Sequence, residues 1–452
     1  MNRNSIDMTH GPLAGKLIMF AIPLIAANIL QLLFNAADVI VVGRFAGSDS
    51  LAAVGSTTSA IFLFINVMMG LSVGVNVMIA RFLGITGEDR KISRTVHTAV
   101  SVGILGGIGV GLVGIALAGP LLRLMAVPEE IFPLAVLYMR IYFAGTAFNM
   151  VYNYGAAALR ARGDTKRPLY YLTISGLLNV ILNLLFVIVL KMNVAGVALA
   201  TIISQGVSAV LVLINLSKSD DALRFSFRNL CIDGKLLADM ARIGVPAGLQ
   251  MCLFSIANMT VQGAINSYGG TVMAGVSAAT SIESFMYTAM AALHQTCQTF
   301  TSQNAGARKY DRVDRVVRLC LLYALIVGVV LSLVIDGFRY PLLHIYNTDP
   351  AVVEAGVVRM VIMVTPYFIY GMADVFVGAI RGCGHALSPV IATLLCTCLL
   401  RILWTLWLDT SRYGVEWIYY SFPVTWLLLL IVVFIIWRHV RKQEGAAEGI
   451  SG

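Results

Sequence analysis

Asp38 is the only carboxylate embedded in the long apolar stretches of the first half of this chain. Asn179 and Asn183 stand four positions apart, which puts both on one face of a helix, and Thr201 follows in the next apolar stretch. Counted from the same side, Asp38 lies about five residues, or roughly 8 Å, inside the end of its stretch, and Asn183 and Thr201 lie about seven residues inside theirs. Three helices thus carry oxygen-bearing groups at similar depth. One carboxylate with amide and hydroxyl oxygens can hold a hard cation such as Na+, or a proton; the bland alternative is a hydrogen-bond network that ties helices together. The second half carries a different set, Glu283, Asp374 and Arg401. Each such group costs several kcal/mol in an apolar medium unless paired or hydrated, and the depths of Glu283 and Arg401 permit an ion pair near mid-membrane. Arg140 and Arg359 are assigned no chemistry, and His294 reads as a packed or hydrogen-bonded core residue.

The elements that must position these groups are set by composition. With 58% hydrophobic and 12% charged residues, this is an integral membrane protein. The apolar stretches predict twelve transmembrane helices, near 17–43, 51–83, 95–119, 131–158, 168–190, 194–216, 236–264, 271–304, 316–336, 351–379, 386–409 and 414–437. With an even number of spans both termini share a side, and that side collects 24 basic residues against five opposite (Arg44, Arg123, Lys191, Arg339 and Arg412). The imbalance predicts both termini in the cytoplasm of a bacterial cell membrane. It also accounts for the +9 net charge without a nucleic-acid partner, for which no extramembrane domain is available.

The chain is an internal repeat. Ala21-Ile22-Pro23 matches Gly244-Val245-Pro246, Asn35 matches Asn258, and Arg160, Gly163 and Pro168 match Arg381, Gly384 and Pro389, the offset drifting only from 223 to 221. The fold class expected is therefore all-α, with two six-helix bundles at 1–216 and 236–452 joined by a polar cytoplasmic linker at 217–235. The charges break the repeat. Glu283, Asp374 and Arg401 correspond to Ile61, Asn153 and Val180, and Asp38 corresponds to Val261. Duplicated halves that rock about a midplane site are a recurrent plan for secondary transporters, with Pro23 as the place where the first helix would bend.

Two motifs are false leads. Gly109, Gly111 and Gly114 fit a dinucleotide fingerprint but lie inside a glycine-rich apolar span, where small residues permit close helix packing. Gly11 to Lys16 is one residue short of a phosphate loop and lacks the Ser or Thr for magnesium. No catalytic set of nucleophile, base or clustered metal ligands shares one depth, so the expectation is a protein that is not an enzyme, needs no cofactor, and binds no metal beyond Na+ at Asp38.

Taken together, Pro23 with Asn35-Ala-Ala-Asp38-Val-Ile-Val-Val-Gly43, Gly84 to Arg90, Gln303-Asn-Ala-Gly306-Ala-Arg308, Arg160-Ala-Arg-Gly163-Asp164 through Pro168, and Leu178-Asn179-Val-Ile-Leu-Asn183 followed by Gly196 to Thr201 resemble the MATE family, the multidrug and toxic compound extrusion transporters. The resemblance runs over nearly the whole length. It implies export of amphipathic, often cationic organic compounds against an inward flow of H+ or Na+, by a monomer in contact with membrane lipid. It also implies that Asp38 is the cation-coupling aspartate, with Asn179, Asn183 and Thr201 at the matching oxygen positions. Asn183 stands where many members have aspartate, which favours the proton as coupling ion. Asp374 resembles an acidic position of the tenth helix in one branch, whose embedded glutamate in the seventh helix is missing here. A flippase for a lipid-linked substrate is the alternative that the wider superfamily leaves open.

Overall fold

The computed structural model describes residues 5–407 and 413–450. Twelve long helical elements follow the predicted spans. In the first half they are α1 Leu13–Ala46, α2 Ser48–Gly84, α3 Asp89–Leu124, α4 Phe132–Ala144 with Thr146–Ala161, α5 Lys166–Val189 and α6 Asn193–Ser217. In the second they are α7 Gly234–Asn266, α8 Gly270–Gly306, α9 Tyr310–Gly337, α10 Pro350–Val364 with Tyr367–Gly382, α11 Leu387–Trp407 and α12 Glu416–Ile450. Arg412 and the outer end of the eleventh predicted span lie outside the described residues. Among the described residues, nine single helices and the two bent pairs, α4 and α10, are long and apolar enough to cross a membrane. The remaining element, α8, has 37 residues but carries Glu283, His294 and a run of Thr, Gln, Ser and Asn over 295–304 that dilutes its hydropathy. Large apolar side chains such as Leu112, Ile181 and Leu333 are exposed along the helices, the surface that hydrocarbon covers.

Two expected spans are not straight. α4 and α10 each bend by 45°, at Gly145 and at Thr365-Pro366 respectively. Proline removes a ladder donor and clashes with the preceding turn, and glycine gives up the conformational stiffness a side chain provides. The two breaks fall at repeat-related positions. So do the turns: Gly47 and Gly269 (φ 89° and 97°) open α2 and α8, and Gly163 and Gly384 (φ 93° and 95°) end α4 and α10 in the left-handed region that only glycine enters freely. The duplication is therefore written in the backbone as well as in the sequence.

The chain forms two compact units. The first is built mainly of Ile22–Gly248, and the second of Met8–Ala21 with the chain from Leu249 onward. The changes of unit fall inside α1 and α7, beside the repeated prolines Pro23 and Pro246, and α1 runs through Pro23 as continuous helix. The stretch read as a linker packs with the first unit. Leu223 and Phe225 are buried, Phe225 stacks on His97 of α3, and the Ser226 amide donates to His97 Nε2 at 3.1 Å. In the glycine-rich α3, a Cβ at Gly111 would lie 2.6 Å from the Phe143 carbonyl oxygen of α4, and one at Gly114 would run into the Phe143 ring. The seam is thus a packing device and no nucleotide loop. Lys16, the other false lead, donates to the His10 carbonyl at 2.6 Å.

Candidate functional site

In the first unit the four residues singled out at similar depth form one continuous chain of hydrogen bonds. Asn183 Nδ2 donates to Asp38 Oδ1 at 2.5 Å and to Asn179 Oδ1 at 3.2 Å. Asn179 Nδ2 donates to Thr201 Oγ1 at 3.4 Å, and that hydroxyl donates to the Val197 carbonyl at 3.0 Å. Three helices hold the chain: α1 supplies Asp38, α5 the i, i+4 pair of asparagines, and α6 the threonine. Asn179 and Asn183 are buried while Asp38 is half-buried, so the carboxylate is the more reachable end of a buried polar wire.

The local backbone helps to place these groups. Just beyond Asp38 the last turn of α1, Val42–Ala46, widens into π-helix, and just beyond Asn183 so does Leu185–Val189 of α5. Such turns rotate the side chains that follow and recur at functional sites. Asn183 Oδ1 is buried without a partner among the described residues. A neutral acceptor left over beside a carboxylate fits the approach of a cation or of a proton donor, since buried polar atoms are otherwise satisfied. Two residues the sequence reading missed, Tyr138 and Tyr142 of α4, lie within electrostatic range of Asp38, and the Tyr142 hydroxyl hydrogen-bonds with Gln205. Their i, i+4 spacing at a depth like that of Asp38 was the available signal.

The second unit is arranged differently, and one expectation is corrected. Glu283 does not pair with Arg401. Arg359 takes it in a bidentate bridge, Nε to Oε1 and Nη2 to Oε2 at 2.9 Å each, with both side chains nearly buried. Glu283, Arg359 and Arg401 all lie at comparable depth, so depth alone cannot choose between the two arginines. Packing does: α10 lies directly against α8, whereas α11 packs on α12.

Arg401 is 0% exposed and faces no carboxylate among the described residues. Its Nη2 donates to Thr425 Oγ1 at 3.0 Å, its Nη1 reaches Asn258 Oδ1 only at 3.5 Å, and its guanidinium lies 3.8 Å from the centre of the Phe422 ring. Asp374 is engaged elsewhere, with His294 Nδ1 lying 3.0 Å from its carboxylate and 2.8 Å from its carbonyl oxygen. His294 is half-buried, and both of these contacts are to Asp374. Glu283, Arg359 and Arg401 line a cavity of about 320 Å³ with Tyr287, Tyr367 and Tyr370, while Asp374 stands outside its wall.

Known proteins resemble this chain at three levels. The MatE family model matches residues 23–185 and again 246–407, once in each half. At 28% identity over 383 residues, 83% of this chain and 82% of the relative, it is similar to the probable multidrug resistance protein YoeA of Bacillus subtilis (strain 168). At 23% identity over 446 residues, 97% of each chain, it is similar to the FAD transporter of Shewanella oneidensis. Among solved structures, a mutant of the Vibrio cholerae MATE transporter VcmN matches with a TM-score of 0.88 at 21% identity, over 95% of this chain and 97% of that one, a likeness of fold.

Proposed function

We propose, for a chain that belongs to the MATE family, that it is a secondary antiporter exporting amphipathic, often cationic organic compounds in exchange for an inward-moving cation coupled at Asp38. The observation that carries this reading is the wire from Asp38 through Asn183 and Asn179 to Thr201. An ion or proton arriving at Asp38 changes the charge at one end of a chain that spans three helices, so it can favour one arrangement of them over another. Only such differential affinity drives exchange; a ligand that binds both states equally shifts nothing. The relative named as a probable multidrug resistance protein supports the substrate class.

The proton is the favoured coupling ion. A single carboxylate among neutral oxygens attracts Na+ less than two carboxylates would, and Asn183 supplies an amide where a second charge would help sodium. Ethidium efflux from proteoliposomes under separately imposed proton and sodium gradients tests this. Efflux that follows the pH gradient is expected, and efflux that follows sodium alone reassigns the ion.

The location belongs to the same proposal: a bacterial cytoplasmic membrane with both termini inside, the 24-to-5 distribution of basic residues providing the motive. Single cysteines at Asp49, Ser267 and Asp349 should label from outside, and one at Asp220 only after permeabilisation. Ser219 beside it is only 2% exposed and makes a poor reporter. Labelling of position 220 in intact cells would invert the topology.

A further inference from the structure

The cavity of the second unit has an unbalanced charge. Of the ionisable groups on its wall, Glu283 and Arg359 neutralise each other through two hydrogen bonds. Arg401 remains, one full positive charge with no carboxylate among the described residues to offset it. A buried cation without a counter-charge is costly, and a protein retains one where an anion is to be met or where a stacked ring and dipoles hold it. Here the ring and dipoles fall short. Phe422 covers one face of the guanidinium and Thr425 accepts one N–H, yet Nε has no partner and the Asn258 contact is stretched to 3.5 Å.

Asn258 itself is exposed and lines the cavity together with Arg401, so their contact lies where an incoming oxygen can compete for it. An oxygen that takes the place of Asn258 Oδ1 replaces a long neutral contact by a charge-assisted one. The rest of the wall is aromatic. Tyr367 stands against Tyr370 and Trp426, with ring centroids at 5.6 and 5.1 Å, and Tyr287 stacks on Tyr370. Such a wall offers flat apolar faces to a planar body.

We propose that this cavity is a binding subsite for planar aromatic anions, with Arg401 receiving a carboxylate at the position of Asn258 Oδ1 and the tyrosine and tryptophan rings holding the aromatic body. The proposal rests on the reading of the chain as a solute transporter and adds a substrate class opposite in charge to the organic cations of that reading. It needs no gradient and can be tested by binding alone.

The test is calorimetric titration of the purified protein with three probes of one shape, 1-naphthoate, neutral 1-naphthamide and cationic 1-naphthylmethylammonium. Naphthoate should bind about tenfold or more tighter than naphthamide, the difference between a charge-assisted and a neutral hydrogen bond. Arg401→Gln should erase that preference, and Arg401→Lys should keep part of it. Should Arg401→Gln not fold, Asn258→Asp serves in its place, because it supplies the missing counter-charge at the same contact. That variant should melt higher than the parent and lose the preference for naphthoate. Equal affinity for naphthoate and naphthamide, tighter binding of the ammonium probe, or a naphthoate preference that survives both variants overturns the proposal. Naphthoate binding in a protein that moves no ethidium under any gradient would leave the subsite standing and remove the antiport reading. Ethidium efflux without a naphthoate preference would do the reverse.

Discussion

In the first unit one carboxylate, Asp38, accepts a hydrogen bond from the neutral amide of Asn183; in the second, the corresponding depth holds an acid already cancelled by Arg359 and a second arginine left over. The scaffold beneath is the same. Bent helices at Gly145 and Thr365-Pro366, left-handed turns at Gly163 and Gly384, and helix-opening glycines at 47 and 269 recur in register. Even the means of placing a deep side chain recurs: Asn183 stands just before a π-helical segment of α5, and Arg401 just after the one at Leu394–Leu399 of α11. The comparison teaches that duplication preserved what shapes the backbone and released what carries charge. The deep polar site of the first unit carries a carboxylate, and that of the second carries an arginine with no carboxylate partner among the described residues. The left-handed turns keep glycine in both halves, whereas the embedded charges differ between them.

The largest effect expected of any substitution is at the reachable end of the first unit's wire. Asp38→Asn is nearly isosteric and cannot alternate between charged and neutral forms. Gradient-driven ethidium efflux should fall to the level of empty vesicles while the detergent melting temperature stays near that of the parent. Residual gradient-driven transport at half the parental rate would mean that the coupling carboxylate lies in the second unit, and the comparison between the halves would collapse.

Next comes the cancelled acid. Leaving either Glu283 or Arg359 without the other strands a charge in a low-dielectric interior, a loss of about 3–5 kcal/mol. Glu283→Gln and Arg359→Met should each lower thermal stability strongly, and the double variant should recover much of the loss. Glu283 and Arg401 should show no such recovery, since they do not meet. Additive losses for Glu283 and Arg359 would show that the bridge contributes nothing beyond its parts.

How far these contrasts could be read from sequence differs between the halves, for a physical reason. The wire of Asp38, Asn183, Asn179 and Thr201 was legible because two of its members share a helix face and the others sit at matching depth, so depth and periodicity sufficed. Twelve spans were legible because a bilayer demands about twenty apolar residues per crossing. The partner of Glu283 was not legible: Arg359 and Arg401 lie at comparable depths, and which helix lies against α8 is a matter of packing between distant segments. The stacking of Phe225 on His97 of α3 was hidden for another reason, since Leu223, Phe225 and Phe227 alternate with polar residues over a run too short to say what it packs against. The bends of α4 and α10 had a signal in Gly145 and Pro366, but glycine and proline are common in spans that stay continuous, as Pro23 shows in α1.

A gain of charge in the first unit sharpens the comparison from the other side. Asn183→Asp places a second carboxylate 2.5 Å from the atom that Asn183 Nδ2 now contacts on Asp38. Two carboxylates at that separation need a shared proton or a metal cation, so the variant should respond to a sodium gradient to which the parent is indifferent. Efflux rates measured with sodium varied at constant pH decide the matter. A variant as indifferent to sodium as the parent would show that the neighbouring oxygens do not reach the bound ion.

The smallest effect belongs to the far end of the wire, and it discriminates between the two coupling ions. Thr201→Val keeps the shape of the side chain and removes the hydroxyl that Asn179 contacts at 3.4 Å. Interhelical hydrogen bonds in membranes average about 0.6 kcal/mol, so the melting temperature should fall only slightly. A proton needs the Asp38 carboxyl and little else, whereas a sodium ion needs several oxygens gathered around it. Loss of Thr201 should therefore leave proton-driven efflux close to that of the parent. In the Asn183→Asp background the same substitution should remove much of the sodium response, because there every oxygen ligand counts. Proton-driven efflux that fails in Thr201→Val while the protein remains folded would mean that the hydroxyl takes part in the proton's path, and the wire would then be a relay along its whole length, with Asp38 as its entrance.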